Sequence, residues 1–131
     1  MRNISALLLA AASLSGCVFS TDPYAFEYDP GGEVLHTFPA GDDAATITVR
    51  REPAYVGSAA SNELLVDGIE VVSLGAYDEH TFKLDPGQHI FGAQCWWIVN
   101  EQMVDVQPKR HYFFRIFSNM SDQCAIAPMS R

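Results

Sequence analysis

Three cysteines, four histidines, two tryptophans and a surplus of carboxylates are the groups in this 131-residue chain whose chemistry could matter. Their spacing limits what each can do. Cys95 and Cys124 form an even pair once Cys17 is set aside, and in an oxidising compartment such a pair is expected to close a disulfide. The alternatives are two free thiols or a metal site, and neither cysteine has the Cys-x-x-Cys or Cys-x-x-His neighbour that zinc ligation favours. His36, His80, His89 and His111 show no His-x-His or His-Glu-x-x-His spacing. His89 follows a turn and His111 begins a strand, so those two are the candidate pair for a competing metal-binding or enzymatic reading. Ser58 and Ser61 lack the Gly-x-Ser-x-Gly elbow of a nucleophilic serine, and phosphate-cradling and dinucleotide glycine motifs are missing. No catalytic or metal-ligating residue is therefore assigned, and the expected role is non-catalytic.

The remaining candidates are aromatic and charged. Cys95-Trp96-Trp97-Ile98, read as part of a strand, puts the two tryptophans on opposite faces, one in the core and one outside. An outer tryptophan near Tyr112, Phe114 or Tyr77 would stack on a sugar ring or anchor a partner. The competing reading is that the amino-terminal arm covers it. Arg50-Arg51 and Lys109-Arg110 are short basic pairs expected to meet nearby carboxylates, and Arg115, inside an aromatic strand, is expected to be partly buried and paired. With 16 acids against 8 bases, a general phosphate-backbone binder is disfavoured, so no nucleic-acid partner is expected. The acids Asp22, Glu27, Asp29, Glu33, Asp42, Asp43 and Glu52 precede the first clear hairpin and read as a solvated surface, because they lack calcium-loop spacing.

The amino terminus carries an address. Met1-Arg2 supplies positive charge, Ile4 to Leu14 is an apolar run, and small residues lead to a cysteine. Charge, length and exit chemistry are those of a secretory signal, and the run is too short for a membrane-spanning helix, which needs roughly 18 apolar residues. Leu14-Ser15-Gly16-Cys17 resembles a bacterial lipobox. That resemblance implies cleavage after residue 16, a diacylglyceryl group on the Cys17 thiol and further acylation of the new amino terminus, with no other cofactor. At about 0.8 kcal/mol per buried methylene, two or more chains such as palmitate anchor a small domain stably. Val18 stands where an Asp would suggest retention in the inner membrane, so the resemblance implies the periplasmic face of the outer membrane.

The elements that must position these groups are strands. Val18 to Pro39 shows no helical period, and Asp29-Pro30-Gly31-Gly32 demands a turn, so residues 17–43 read as a tether and arm whose Phe26, Tyr28 and Phe38 pack on the domain. Thr46 to Arg50 alternates as a half-buried strand, and Pro53 to Asn62 reads as a loop. Glu63 to Val66 and Ile69 to Leu74 flank Asp67-Gly68, the pair that favours a type I′ hairpin turn. Glu79 to Leu84 alternates and ends at Asp85-Pro86-Gly87-Gln88, which suits a type II turn into a strand over His89 to Val99. Gln102 to Val106, His111 to Phe117 and Cys124 to Ala127 complete the set, with Pro108-Lys109 as a further turn. About seven short strands with turns at roughly ten-residue intervals predict an all-β domain over residues 44–131, a small two-sheet β-sandwich or partly open barrel. A signal helix precedes it in this reading.

The loop Tyr55-Val56-Gly57-Ser58, Val66-Asp67-Gly68, Leu84-Asp85-Pro86-Gly87-Gln88-His89 and the strand Tyr112-Phe113-Phe114-Arg115 occur in an order that resembles an uncharacterised family of small prokaryotic membrane lipoproteins, a domain of unknown function. The likeness spans about residues 45 to 118 and implies a β-sandwich lipoprotein without established catalytic residues. Cys95-Trp96-Trp97 departs from that pattern. The expectation is a lipid-anchored binding or scaffolding module of the cell envelope, touching the membrane through its anchor and an envelope protein or glycan through its aromatics.

Overall fold

A computed structural model describes residues 27–53, 61–96, 98–118 and 124–129. The signal segment, Cys17, Phe26, the 55–58 loop and Trp97 lie outside the described residues. Ten strands follow in order: β1 (Asp29–Pro30), β2 (Glu33–Val34), β3 (Ala45–Arg51), β4 (Asn62–Val66), β5 (Ile69–Leu74), β6 (Asp78–Leu84), β7 (Gly87–Cys95), β8 (Ile98–Val106), β9 (His111–Ser118) and β10 (Cys124–Pro128). They form two five-stranded sheets, β1-β6-β3-β9-β10 (sheet A) and β2-β5-β4-β7-β8 (sheet B). The architecture is an open two-sheet sandwich, with more strands than the seven or so expected and no closure into a barrel.

Period-two patterning explains the layers. Ile47 and Val49 of β3, Leu64 and Val66 of β4, Phe91 and Ala93 of β7, and Phe114 and Ile116 of β9 all point inward and are buried. Phe91 of sheet B stacks on Phe114 of sheet A with ring centroids 4.8 Å apart, which ties the two layers at mid-height. β3 lies between β6 and β9 and runs parallel to β9, with Thr46 beside His111 and Arg50 beside Arg115. Its Thr48 hydroxyl, 4% exposed, is satisfied by Thr81 Oγ1 at 2.9 Å and His111 Nε2 at 2.7 Å.

The expected Asp67-Gly68 hairpin forms between β4 and β5, with φ of 53° and 79° at the two turn residues. The long strand expected over His89 to Val99 does not form. Instead β7 ends at Cys95, the chain reverses after it, and Ile98 pairs back with Cys95. Trp96 therefore sits at a hairpin tip, and the continuous strand expected through Cys95-Trp96-Trp97-Ile98 is interrupted after Cys95. Nothing in their composition signals a turn, and Trp96 reaches one only by adopting φ of 58°, a left-handed conformation rare for a bulky residue.

The arm residues 29–34 are part of the sandwich edge. β1 pairs in parallel with β6, β2 pairs with β5, and Gly31-Gly32 carries the chain from one sheet to the other. A Cβ at Gly32, which has φ of 97°, would come within 2.9 Å of Leu74 Cδ2 and Ser73 O, so only glycine passes there without displacement. Tyr28 lies under the Arg50 guanidinium at 4.4 Å and Phe38 packs on the core. This strap covers one flank of the sandwich. On the other flank the sheets end in β8 and β10.

Candidate functional site

The β8/β10 flank is pinned at one end by the Cys95–Cys124 disulfide, which joins the end of β7 in sheet B to the start of β10 in sheet A with Cα atoms 5.8 Å apart. Asn62 Nδ2 donates to Cys95 Sγ at 2.8 Å, and Asn100 Nδ2 of β8 donates to the Cys124 carbonyl. The junction is thus held by one covalent bond and two buried or half-buried side-chain amides. Trp96 projects beyond it, 68% exposed.

Ile90, Ile98, Val99 and Met103 are also exposed, so the β7–β8 hairpin gathers five of the large apolar side chains that the described residues leave open to water. Val99, Glu101 and Met103 share the outer row of β8, opposite Gln94, Gly92 and Ile90. Gly92 makes this row flat, because a Cβ there would meet Val99 Cγ1 at 3.1 Å and Glu101 Cγ at 3.5 Å. Between β8 and the β9–β10 pair lies an open cleft of about 370 Å³, lined by residues that include Asn100, Glu101, Gln102, Phe117, Ala125 and Ile126.

Charge is segregated between the layers. Every Lys and Arg among the described residues lies in a sheet A strand (Arg50, Arg51, Lys83, Arg115) or in the β8–β9 turn (Lys109, Arg110). The sheet B strands hold none and carry Glu33, Glu63, Glu70, Glu101 and Asp105. In sheet A several cations are already paired, Arg50 with Glu79 at 3.4 Å and Arg115 with Glu52 at 3.2 and 3.3 Å. Arg115 is paired as expected, but the deeply buried cation is Arg51, at 2% exposure. Burial lowers its pKa from the ordinary arginine value, and the nearby Asp78 charge opposes that shift. The Arg50-Arg51 pair is expected at the surface, but Arg51 lies on the inward face of β3 that also holds Ile47 and Val49.

Tyr112 is not part of an open aromatic site. It is half-buried against the core, its hydroxyl oxygen accepts a hydrogen bond from Gln107 N at 2.8 Å, and its O–H is directed at the Asp105 carbonyl at 3.4 Å. This is an arrangement of the tyrosine-corner kind, closing the β8–β9 turn. It lies at the opposite end of β8 from Trp96, so the two aromatics do not share a surface. Of the candidate contact aromatics among the described residues, Trp96 is exposed and Tyr112 is half-buried.

The histidines likewise stay apart. His89 of sheet B is hydrogen-bonded through Nδ1 to Asp67 Oδ2 at 2.6 Å and through Nε2 to the Asp85 carbonyl at 2.8 Å, so both ring nitrogens are engaged in fixing two turns. Burial raises the Asp67 pKa, but the His89 hydrogen bond, the Ile90 N–H and the His89 charge together outweigh it and leave the carboxyl below its usual value. His111 belongs to sheet A, where it is bonded to Thr48 of the neighbouring strand and stacks on Phe113 at 4.0 Å. Among the described residues no group of three His, Cys, Asp or Glu side chains is placed to hold a metal.

No protein-family model matches the chain. No curated protein matches it either. Among solved structures it is similar to the N-terminal domain of AlgF from P. aeruginosa, with a TM-score of 0.45 and 11% identity over 70% of this chain and 100% of that one. A likeness that slight carries no argument about fold or function.

Proposed function

We propose that this chain is a lipid-anchored, non-catalytic binding module of the bacterial cell envelope. In this reading residues 1–16 are a lipoprotein signal peptide, Cys17 carries the acyl chains, the following residues to about 43 form tether and strap, and the sandwich stands at the periplasmic face of the outer membrane. The amino-terminal sequence supports the address. The contact surface is the β7–β8 hairpin, and the observation that carries it is Trp96: an exposed tryptophan held in a left-handed conformation beside a disulfide. Such backbone strain persists where the surrounding structure enforces it, and an exposed tryptophan on a rigid element is a common hot-spot residue.

The test has two independent arms. Radiolabelled palmitate should enter the protein, and Cys17→Ser should release it from the membrane fraction; failure of both removes the anchor. Crosslinking in the native envelope should yield a partner with the parent chain and lose it with Trp96→Ala; retention of the same partner in that variant removes the contact surface. A second reading, favoured by the same exposed indole, is stacking on an envelope glycan. Pull-down on peptidoglycan that disappears with Trp96→Ala would select it over a protein partner.

A further inference from the structure

The binding reading leaves open what the hairpin binds, and the main-chain geometry of β8 bears on this. A two-residue turn makes Cys95 and Ile98 the first hydrogen-bonded pair of the hairpin. Alternation then turns the main-chain groups of Asn100, Gln102 and Val104 toward β7 and those of Val99, Glu101, Met103 and Asp105 away from it. The Tyr112 hydroxyl aimed at the Asp105 carbonyl fits this phase. With that carbonyl already addressed, the open edge runs from Val99 to Met103.

Sandwiches ordinarily blunt such an edge with Lys, Pro, a bulge or a covering segment. Here the β5 and β6 edges are covered by the strap, and β10 is a five-residue strand ending in Pro128. β8 has nine residues, no Lys, no Pro and an unbroken register with β7, and it is flanked by exposed Trp96, Ile98, Val99 and Met103. A strand laid along it would alternate its side chains between two surroundings. One set would face the outer row, where Glu101 is the central side chain between Val99 and Met103. The other set would point into the cleft beside Phe117, Ala125 and Ile126, whose rim Glu101 shares.

Resting on the binding-module reading, we infer that β8 is a β-augmentation site for an extended polypeptide segment of a partner, in which a Lys or Arg opposite Glu101 alternates with apolar residues. Main-chain hydrogen bonds to Val99, Glu101 and Met103 supply affinity, and the cleft and Glu101 supply selection. The absence of any Lys or Arg from the sheet B strands leaves the negative row without an internal counter-charge in its own layer. That complementarity selects a basic strand over an acidic one and over an anionic lipid surface.

The probes are two synthetic peptides of alternating valine and lysine or alternating valine and glutamate, titrated into the full chain with tryptophan fluorescence and amide NMR shifts as readouts. The lysine peptide should bind and shift the amides of Val99, Glu101 and Met103, while the glutamate peptide should bind at least about tenfold more weakly. Glu101→Lys should reverse the preference. Met103→Pro removes an N–H that faces the open edge and spares the β7 ladder, so it should abolish binding without lowering the melting temperature appreciably. Should that variant prove unstable, lysine peptides N-methylated at alternate residues test the same bonds, and only one of the two methylation phases should bind. Equal binding of both charge types, equal binding of both methylation phases, or no binding of the lysine peptide would overturn the assignment. If Trp96→Ala loses its envelope partner while Met103→Pro keeps it, the binding module stands and the edge assignment falls.

Discussion

Trp96 combines a cost to folding with exposure to solvent. A non-glycine residue in the left-handed region costs on the order of 1–2 kcal/mol, and Trp96 makes that sacrifice without gaining burial. Trp96→Gly should therefore raise stability by about 1 kcal/mol in chemical denaturation while weakening partner capture, the opposite signs expected of a side chain kept for contact. A second residue-scale effect belongs to His80. It is half-buried, its ring stacks on Phe82 at 5.7 Å, and burial holds its pKa below the ordinary 6.5. The unfolded chain takes up that proton near 6.5 whereas the folded protein resists it until lower pH. Its contribution to stability is complete above 6.5 and declines as the pH falls below that value. Denaturation midpoints between pH 7.5 and 5 should show this slope, and His80→Phe should flatten it. Asp67, depressed below its usual 3.8, acts only in a more acidic window, where protonation removes its bonds to His89 and the Ile90 amide.

At the scale of elements, legibility depended on whether a turn or link declares itself chemically. Asp67-Gly68 accepts positive φ by its residue types, so the β4–β5 hairpin could be read directly. Cys95 and Cys124 could be paired by parity alone, and they are joined. The β7–β8 turn could not be read, because Trp96 is among the last residues chosen for that conformation and its strands looked continuous through the apolar run. β1 and β2 are not legible because two-residue strands carry no alternation, and their partners lie far downstream, Asp78 for Asp29 and Ser73 for Glu33. The tie of Tyr112 to the β8–β9 turn was not legible, since it depends on main-chain groups at Gln107 and Asp105, which sequence patterning does not mark. The disulfide closes a separation of 29 residues, so replacing both cysteines with serine should lower stability by about 3 to 4 kcal/mol by chain entropy. In urea denaturation the loss should match that of the reduced parent protein; a loss under 1 kcal/mol would mean that the Asn62 and Asn100 hydrogen bonds hold the junction unaided.

The whole molecule is asymmetric in two respects. Among the described residues one flank is closed by the Asp29–Val34 strap and the other ends in the nine-residue edge strand β8; every strand-borne Lys and Arg lies in sheet A and none in sheet B. Composition announced the net acidity but could not announce its division, since the division follows from which strands share a sheet. That same division of strands sets an order of assembly. Sheet B contains the two tight hairpins, whose partners are near neighbours in the chain, whereas the centre of sheet A joins β3 to β9 in parallel across more than sixty residues, with Thr46 against His111. Closing so long a loop is entropically late and slow. In refolding followed by pulsed hydrogen exchange, amides of β4, β5, β7 and β8 should gain protection before those of β3 and β9. A nascent chain would then spend its early lifetime as a half-built body with an acidic outer face, waiting for its carboxyl-terminal strands to roof the apolar interior.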